Sequence, residues 1–173
     1  HNTLTDRIFE DFKNTLKSLP NIIVNLQGDI PNIEPKIIKN LINYMQQGKC
    51  EVGTLASEIK NNFELEDENI VKVLVKEKLK EGNFSEALDF LRVNPGKDHK
   101  TYHHVGIYAF TSIALTKYVS LKRSKLELNR KLEQLRAMEN GMSIHVGYIN
   151  SSPLSVDTEK DLFRIKKLME KNE

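Results

Sequence analysis

Apolar residues recur along most of this chain at the three-and-four spacing of an amphipathic helix. Leu4, Ile8, Phe12, Leu16 and Leu19 form a first stripe over residues 3–19. Thr3 and Asp6 open it in the spacing of a capping box, and Pro20 stops it. Ile22, Ile23, Val24 and Leu26 then make a short β-favouring run closed by Gly28-Asp29. A second helix starts at Pro35, buries Ile37, Ile38, Leu41, Ile42 and Met45, and ends at Gly48. A short third helix is predicted from Thr54, with Leu55, Ile59 and Phe63 inward. Asp67 caps a fourth, with Ile70, Val71, Leu74, Val75 and Leu79 inward and Gly82 at its end. A last helix begins near Asp157 or Thr158 and turns Leu162, Ile165, Leu168 and Met169 inward.

The segment 84–108 admits two readings. In one, Ser85 caps a helix carrying Ala87, Leu88 and Leu91 that ends before Pro95. In the other, 87–93 and 100–108 are strands joined through Asn94-Pro95-Gly96-Lys97-Asp98. The helix propensity of Glu86-Ala87-Leu88 favours the first. Residues 102–140 contain no proline and one glycine, Gly106. Ala114, Leu121, Leu128 and Leu135 stand seven residues apart, with Tyr118 and Leu132 at the complementary heptad position, which Lys125 and Glu139 interrupt. Such a helix would be about 60 Å long at 1.5 Å per residue. A domain of this size is only about 30–40 Å across. A projecting apolar stripe needs a cover, so the spacing predicts a homo-oligomer or a helical protein partner. Residues 144–149 alternate like a strand.

These patterns predict a mainly α fold: a multi-helix domain with a long heptad-bearing helix. At most a small two-stranded β element is expected, made of 22–26 and 144–149 if they pair. The organisation that follows is a helical domain over 1–100 and a long helix over 101–140 as a dimerisation or partner arm. A short strand and C-terminal helix over 141–173 pack back on the domain.

Composition narrows the function classes. The chain has 173 residues, 39% hydrophobic and 29% charged, so it can bury a core without a metal or disulfide. Twenty-six basic and 24 acidic side chains leave a net charge of +2, so there is no global basic field for nucleic acid. The single cysteine, Cys50, excludes an internal disulfide. No apolar run reaches the roughly 20 residues of a membrane-spanning helix, and no signal-peptide pattern opens the chain. An intracellular, cytoplasmic setting is expected. The chain opens on His1 and reads as processed or excised from something longer.

Gly82-Asn83-Phe84-Ser85-Glu86-Ala87-Leu88, then Pro95, Tyr102 and Gly106, resembles one tetratricopeptide-type helical repeat over 82–106. That resemblance implies a helical groove for peptide segments. Residues 35–48, 53–63 and 67–81, followed by the strand reading of 84–108, are similar to a winged helix-turn-helix core over 35–108. That resemblance implies a third helix entering the major groove. Lys72, Lys76 and Lys80 would line its face, and Lys122 and Arg123 would add contacts from the long helix. Glu64-Leu65-Glu66-Asp67-Glu68 places four acids ahead of that helix, where they would repel phosphate.

Candidate chemistry is sparse. His99 and His103, four apart, could share a metal with Asp98, but a surface or capping role explains them better, so no metal is expected. The carboxylate pairs Glu64/Glu66 and Asp157/Glu159 sit where capping accounts for them. Cys50 beside Lys49 lacks a partner histidine by spacing. There is no glycine-rich phosphate loop, Gly-x-Ser-x-Gly elbow or His-Glu-x-x-His. No catalytic residue and no cofactor is expected. The long segment carries Lys117, Lys122, Arg123, Lys125, Arg130, Lys131 and Arg136, partly offset by Glu127, Glu133 and Glu139. The sequence therefore predicts a non-enzymatic regulatory or adaptor protein. It would act by helix-mediated association, self-association first, through Tyr118, Leu121, Leu128, Leu132 and Leu135. A winged-helix-type DNA-binding regulator is the alternative, and an enzyme ranks third.

Overall fold

Runs of β-branched and aromatic residues that alternate faces form the centre of this molecule, and short helices cover them. The computed structural model describes residues 4–15, 20–28, 30–96, 100–150 and 159–170. In chain order the elements are α1 (Leu4–Thr15), β1 (Ile22–Asn25), α2 (Pro35–Met45), β2 (Val52–Ser57), α3 (Asn62–Glu66), β3 (Lys72–Val75) and β4 (Phe84–Leu91). Then follow β5 (Thr101–Thr111), α4 (Ser112–Ser120), α5 (Lys125–Arg130), α6 (Gln134–Glu139), β6 (Ile144–Tyr148) and α7 (Glu159–Met169). The strands form one sheet in the order β1-β5-β2-β6-β4-β3, and β3 also pairs with the start of β5, so the sheet curls back on itself. β1 and β2 both run antiparallel to β5, and β2 runs parallel to β6. β1, β2 and β6 thus share one direction.

Each face of the sheet has its own core. Leu41 and Met45 of α2 pack with Leu55, Val105, Ile107 and Ala109 on one face. Leu115 and Tyr118 of α4, with Leu132, Leu135 and Ala137, cover Val52, Phe110, Ile144 and Val146 on the other. The result is a three-layer α/β/α arrangement.

This architecture overturns the mainly α expectation. The third and fourth helices read at 54–63 and 67–79 are β2, α3 and β3. Val73 and Val75 are buried at alternate positions, which helical spacing at Ile70, Val71 and Leu74 had masked. The segment 84–91 is a strand: Ser85, Ala87 and Phe90 are buried while Glu86 and Leu88 face out. The runs at 22–26 and 144–149 are strands β1 and β6, but they do not pair with each other. The rod expected over 102–140 is a strand and three short helices. Thr111 caps α4, with its side chain accepting from the Ala114 amide, and α4 ends at Leu121. Ser124 and Glu127 form a full capping box at the start of α5, and Lys131 ends it in the left-handed region at φ 55°. The heptad leucines fall on separate pieces, and most of them cover the sheet. Of the first stripe, Ile8 is half-buried; Thr3, Leu16 and Leu19 lie outside the described residues, as do Asp29, Asp98, His99 and Asp157.

Two glycines permit close approaches. A Cβ on Gly53 would stand 2.8 Å from Leu41 and Met45 of α2. A Cβ on Gly147 would stand 2.5 Å from the Phe84 ring, which itself stacks on Tyr44 at 3.8 Å between centroids. The Tyr44 hydroxyl in turn reaches His145 Nδ1 at 2.7 Å.

A buried ion pair ties the helices of the second face together. Arg136 and Glu127 are both almost fully inaccessible. The Arg136 guanidinium donates Nε to Glu127 Oε2 at 2.9 Å and Nη2 to Oε1 at 2.7 Å. Glu127 also accepts from Arg123 Nε at 2.9 Å and from the Ser124 amide. Arg136 lies over the Tyr118 ring at 4.6 Å and is 3.6 Å from Asp6 of α1. Burial opposes the charge on Glu127, but the bonds from Arg136 and Arg123 outweigh it and hold its carboxyl below the usual range. The same bond raises the Arg136 guanidinium.

Two consequences are measurable in urea. Gly147→Ala should cost about 1–3 kcal/mol through the clash with Phe84, and Phe84→Ala in the same chain should recover part of the loss. Glu127→Ala should cost about 3–5 kcal/mol because it strands a buried guanidinium, whereas the double change Glu127→Leu/Arg136→Met should cost less than the single one. A double variant as unstable as the single one would show that packing, not uncompensated charge, sets the loss.

Candidate active site

In open α/β sheets ligands bind outside the carboxyl ends of the parallel strands. Here those ends are Asn25 of β1, Ser57 of β2 and Tyr148 of β6. β5 passes between β1 and β2, and His104, Gly106 and Tyr108 share one of its faces by the period of two. Gln27, in the loop after β1, lies beside Gly106: a Cβ there would rest in ordinary contact with its amide at 3.4 Å. Gln27 therefore lies over β5 between the positions of His104 and Tyr108.

The ladder between β2 and β5 slips at this point. Thr54 opposes Tyr108 while Leu55 opposes Val105, so β5 carries Gly106 and Ile107 as additional residues. The slip brings the Thr54 hydroxyl to 2.8 Å from the Ile107 carbonyl and 3.3 Å from that of Val105. The same oxygen is 2.9 Å from His104 Nε2. The imidazole meets the Phe90 ring edge-on at 5.0 Å and lies 5.4 Å from the Tyr108 ring. Burial, with a smaller contribution from His103, pushes His104 down to about 3, so the ring is neutral at any physiological pH. Burial, and then Glu133, raises the Tyr108 phenol well above its ordinary value.

Tyr108 also borders a small pocket beneath α1 and the start of α6, about 10 Å³ or room for one water molecule, which Thr5, Val52, Tyr118, Glu133, Gln134 and Ile144 line with it. The Tyr118 hydroxyl donates to the Glu133 carbonyl at 2.9 Å, and the Thr5 hydroxyl donates to Glu133 Oε1 at 3.1 Å. Gln134 is buried. Tyr108 thus stands between the neutral imidazole of His104 and the polar groups of Glu133 and Gln134, and this run of donors and acceptors suits a ligand rich in hydroxyl groups.

The residues singled out from sequence fall elsewhere or play other parts. Tyr118, Leu132 and Leu135 are core residues, Leu121 is half-buried against the same core, and Leu128 is exposed. Lys72 is fully buried on β3, its ammonium donating to the Asp67 and Arg92 carbonyls at 2.6 and 2.8 Å. Lys76 pairs with Glu86 at 3.3 Å, Lys80 and Lys122 are exposed, and Arg123 is held by Glu127. Lys72, Lys76 and Lys80 follow a strand and a turn and form no helix face. His103 lies 3.7 Å from Glu64. Among the described residues no group of three His, Cys, Asp or Glu is placed to hold a metal. Cys50 is buried, and burial pushes its thiol up to about 11. No helix among the described residues is long and apolar enough to cross a membrane.

Gln27, Tyr108 and Gln134 were not singled out from the sequence; His104 stood there only in a histidine cluster with His99 and His103, and Glu133 only as a charge offsetting the basic residues of the long segment. A signal existed: His104 and Gly106 interrupt an otherwise apolar run over 102–110, and a glycine inside a strand marks close approach of another group. Read as helix, the same run hides that meaning.

Known proteins match this chain over most of its length. The family model described as Cytidylyltransferase matches residues 1–144. A 3-deoxy-manno-octulosonate cytidylyltransferase of Bartonella tribocorum is 40% identical over 171 residues, covering 98% of this chain and 70% of the relative. One of Paramagnetospirillum magneticum is 41% identical over 149 residues, covering 85% of this chain and 60% of the relative. A solved CMP:2-keto-3-deoxy-manno-octonic acid synthetase complexed with CTP superposes with a TM-score of 0.86 at 30% identity, over all of this chain and 70% of that one. These relatives are enzymes. They overturn the expectation of a non-enzymatic regulator acting by helix association, and with it the tetratricopeptide and winged-helix resemblances. The chain belongs to the cytidylyltransferase family.

Proposed function

We propose that this protein transfers a cytidylyl group from CTP to a hydroxyl of 3-deoxy-manno-octulosonate, giving a CMP-sugar and pyrophosphate. The observation that carries this reading is the 40% identity to enzymes of that name over nearly the whole chain. The run of polar groups along β5 and the start of α6 is compatible with that reaction. In the reaction a sugar hydroxyl oxygen attacks the α-phosphorus of CTP, the new oxygen–phosphorus bond forms, the bond to the bridging oxygen breaks so that pyrophosphate leaves, and the hydroxyl proton passes to solvent. The demand on the protein is positioning, since an oriented pair of reactants removes much of the entropic barrier. Gln27, His104, Tyr108, Glu133 and Gln134 offer donors and acceptors at fixed places on β5, the loop after β1 and α6. They would hold the acid sugar through its hydroxyls. Thr5 on α1 steadies Glu133, and the Glu127–Arg136 pair steadies α6 itself.

A cytoplasmic, intracellular setting belongs to the same reading, because CTP is an intracellular nucleotide. The free thiol of Cys50 fits a reducing compartment.

The complete protein, supplied with CTP and 3-deoxy-manno-octulosonate, should release pyrophosphate and form the CMP-sugar by mass spectrometry. Failure to form it while CTP is bound would reject this sugar as substrate. Gln134→Ala and Tyr108→Phe should each raise the KM for the sugar by about 5- to 150-fold, the cost of a lost buried hydrogen bond, with the KM for CTP within about twofold of the parent. Acid should weaken the fold through His104. The unfolded imidazole takes up its proton near pH 6.5, whereas the folded one stays neutral down to about 3. Its contribution is thus complete above pH 6.5 and is lost as pH falls from there toward 3, by about 1.4 kcal/mol per pH unit. Urea midpoints between pH 7 and 5 should fall with acid, and His104→Gln should fall less steeply, the remainder coming from His103 and His145, which burial also lowers.

A further inference from the structure

We propose that Thr54 is a positioning residue that holds His104 in one tautomer, with the hydrogen on Nε2 and a lone pair on Nδ1. Because β5 carries Gly106 and Ile107 as additional residues, two main-chain carbonyls stand within reach of the Thr54 hydroxyl. Carbonyls only accept. The hydroxyl has one hydrogen, and the Ile107 carbonyl at 2.8 Å is the nearer of the two. With its hydrogen directed there, the Thr54 oxygen offers only lone pairs to the imidazole nitrogen 2.9 Å away. A bare Nε2 at that distance would set lone pair against lone pair between two buried side chains. Nε2 therefore carries the hydrogen, and a neutral ring has only one.

The remaining nitrogen is an obligate acceptor. It favours a ligand group that donates, such as a hydroxyl, and disfavours a carbonyl or carboxylate oxygen in the same place. On the reading of the site as a sugar subsite, which this consequence rests on, Thr54 helps choose which oxygen of the acid sugar faces His104. The tautomer itself does not depend on that reading. Thr54 is fully buried and acts only through His104 and the β5 carbonyls, and Phe90 fixes the plane of the ring from its edge.

The test is the nitrogen-15 spectrum of the His104 ring in the complete, ligand-free protein, read by long-range proton–nitrogen correlation and assigned by its loss in His104→Gln. The parent and Thr54→Ser, which keeps the hydroxyl, should both show the pattern of hydrogen on Nε2 alone. Thr54→Val, of nearly the same shape without the hydroxyl, should show a mixture or the opposite tautomer. It should also raise the KM for the sugar about tenfold with little change in kcat, and Thr54→Ser should restore it. A parent ring with its hydrogen on Nδ1 would overturn the proposal whether or not Thr54→Val folds, and so would an unchanged pattern in a folded Thr54→Val. If the spectra respond to Thr54 but the protein makes no CMP-sugar, the tautomer assignment stands and the reading of the substrate falls.

Discussion

Arg136 is a guanidinium with almost no access to water, and most of the second face of the sheet is arranged to make that tolerable. Its two bonds to Glu127 set the distance between α5 and α6. Its stacking on Tyr118 ties α4 to the same point, and its approach to Asp6 draws in α1. A buried pair of this kind is weak as a source of net stability, because desolvation offsets much of the attraction. Its value here is geometric. Two buried charges with planar, bidentate geometry have very few arrangements that satisfy both, so the short helices are locked in angle as well as in contact. Glu133 and Gln134, three and two residues before Arg136, inherit that precision.

The site combines this helical wall with an irregularity in the sheet. A regular ladder between β2 and β5 would use its carbonyls in main-chain bonds. The slip opposite Thr54 releases two of them and re-aims them at a side chain, which then passes the constraint on to His104. Gln27 lies beside Gly106 within the slipped stretch. One local break therefore supplies the orientation of an imidazole. Neutral groups do this in surroundings where a charged imidazole would be costly, which is why His104 stays uncharged.

The fold also explains why the long segment after residue 100 resists a reading from periodicity. Tyr118, Leu132 and Leu135 lie at heptad spacing, yet they converge because two chain reversals bring α4 and α6 onto one sheet face. Spacing in sequence measures angle around an axis only while the axis continues. Ser124 with Glu127, and Lys131 at positive φ, end and restart it. The capping box at Ser124 was visible as residue types, but it stood inside an apolar repeat that looked continuous.

Local chemistry was legible along the chain. The helix from Pro35, the β-favouring runs at 22–26 and 144–149 and the lack of any long apolar span follow from short-range preferences that the final structure keeps. Strands β2 and β3 were not legible, and β4 and β5 stood only in the second reading of 84–108, because Val71, Leu74 and Val75, or Ala87, Leu88 and Leu91, satisfy a period near 3.6 as well as a period of two. A sheet assembled from segments as distant as β1 and β5 is stabilised by partners that no window of sequence contains. The same holds for the candidate site. Gln27, His104 and Glu133 carry nothing in their immediate neighbours that marks them as a group, and only long-range pairing brings Gln27 beside Gly106 and both His104 and Glu133 beside Tyr108.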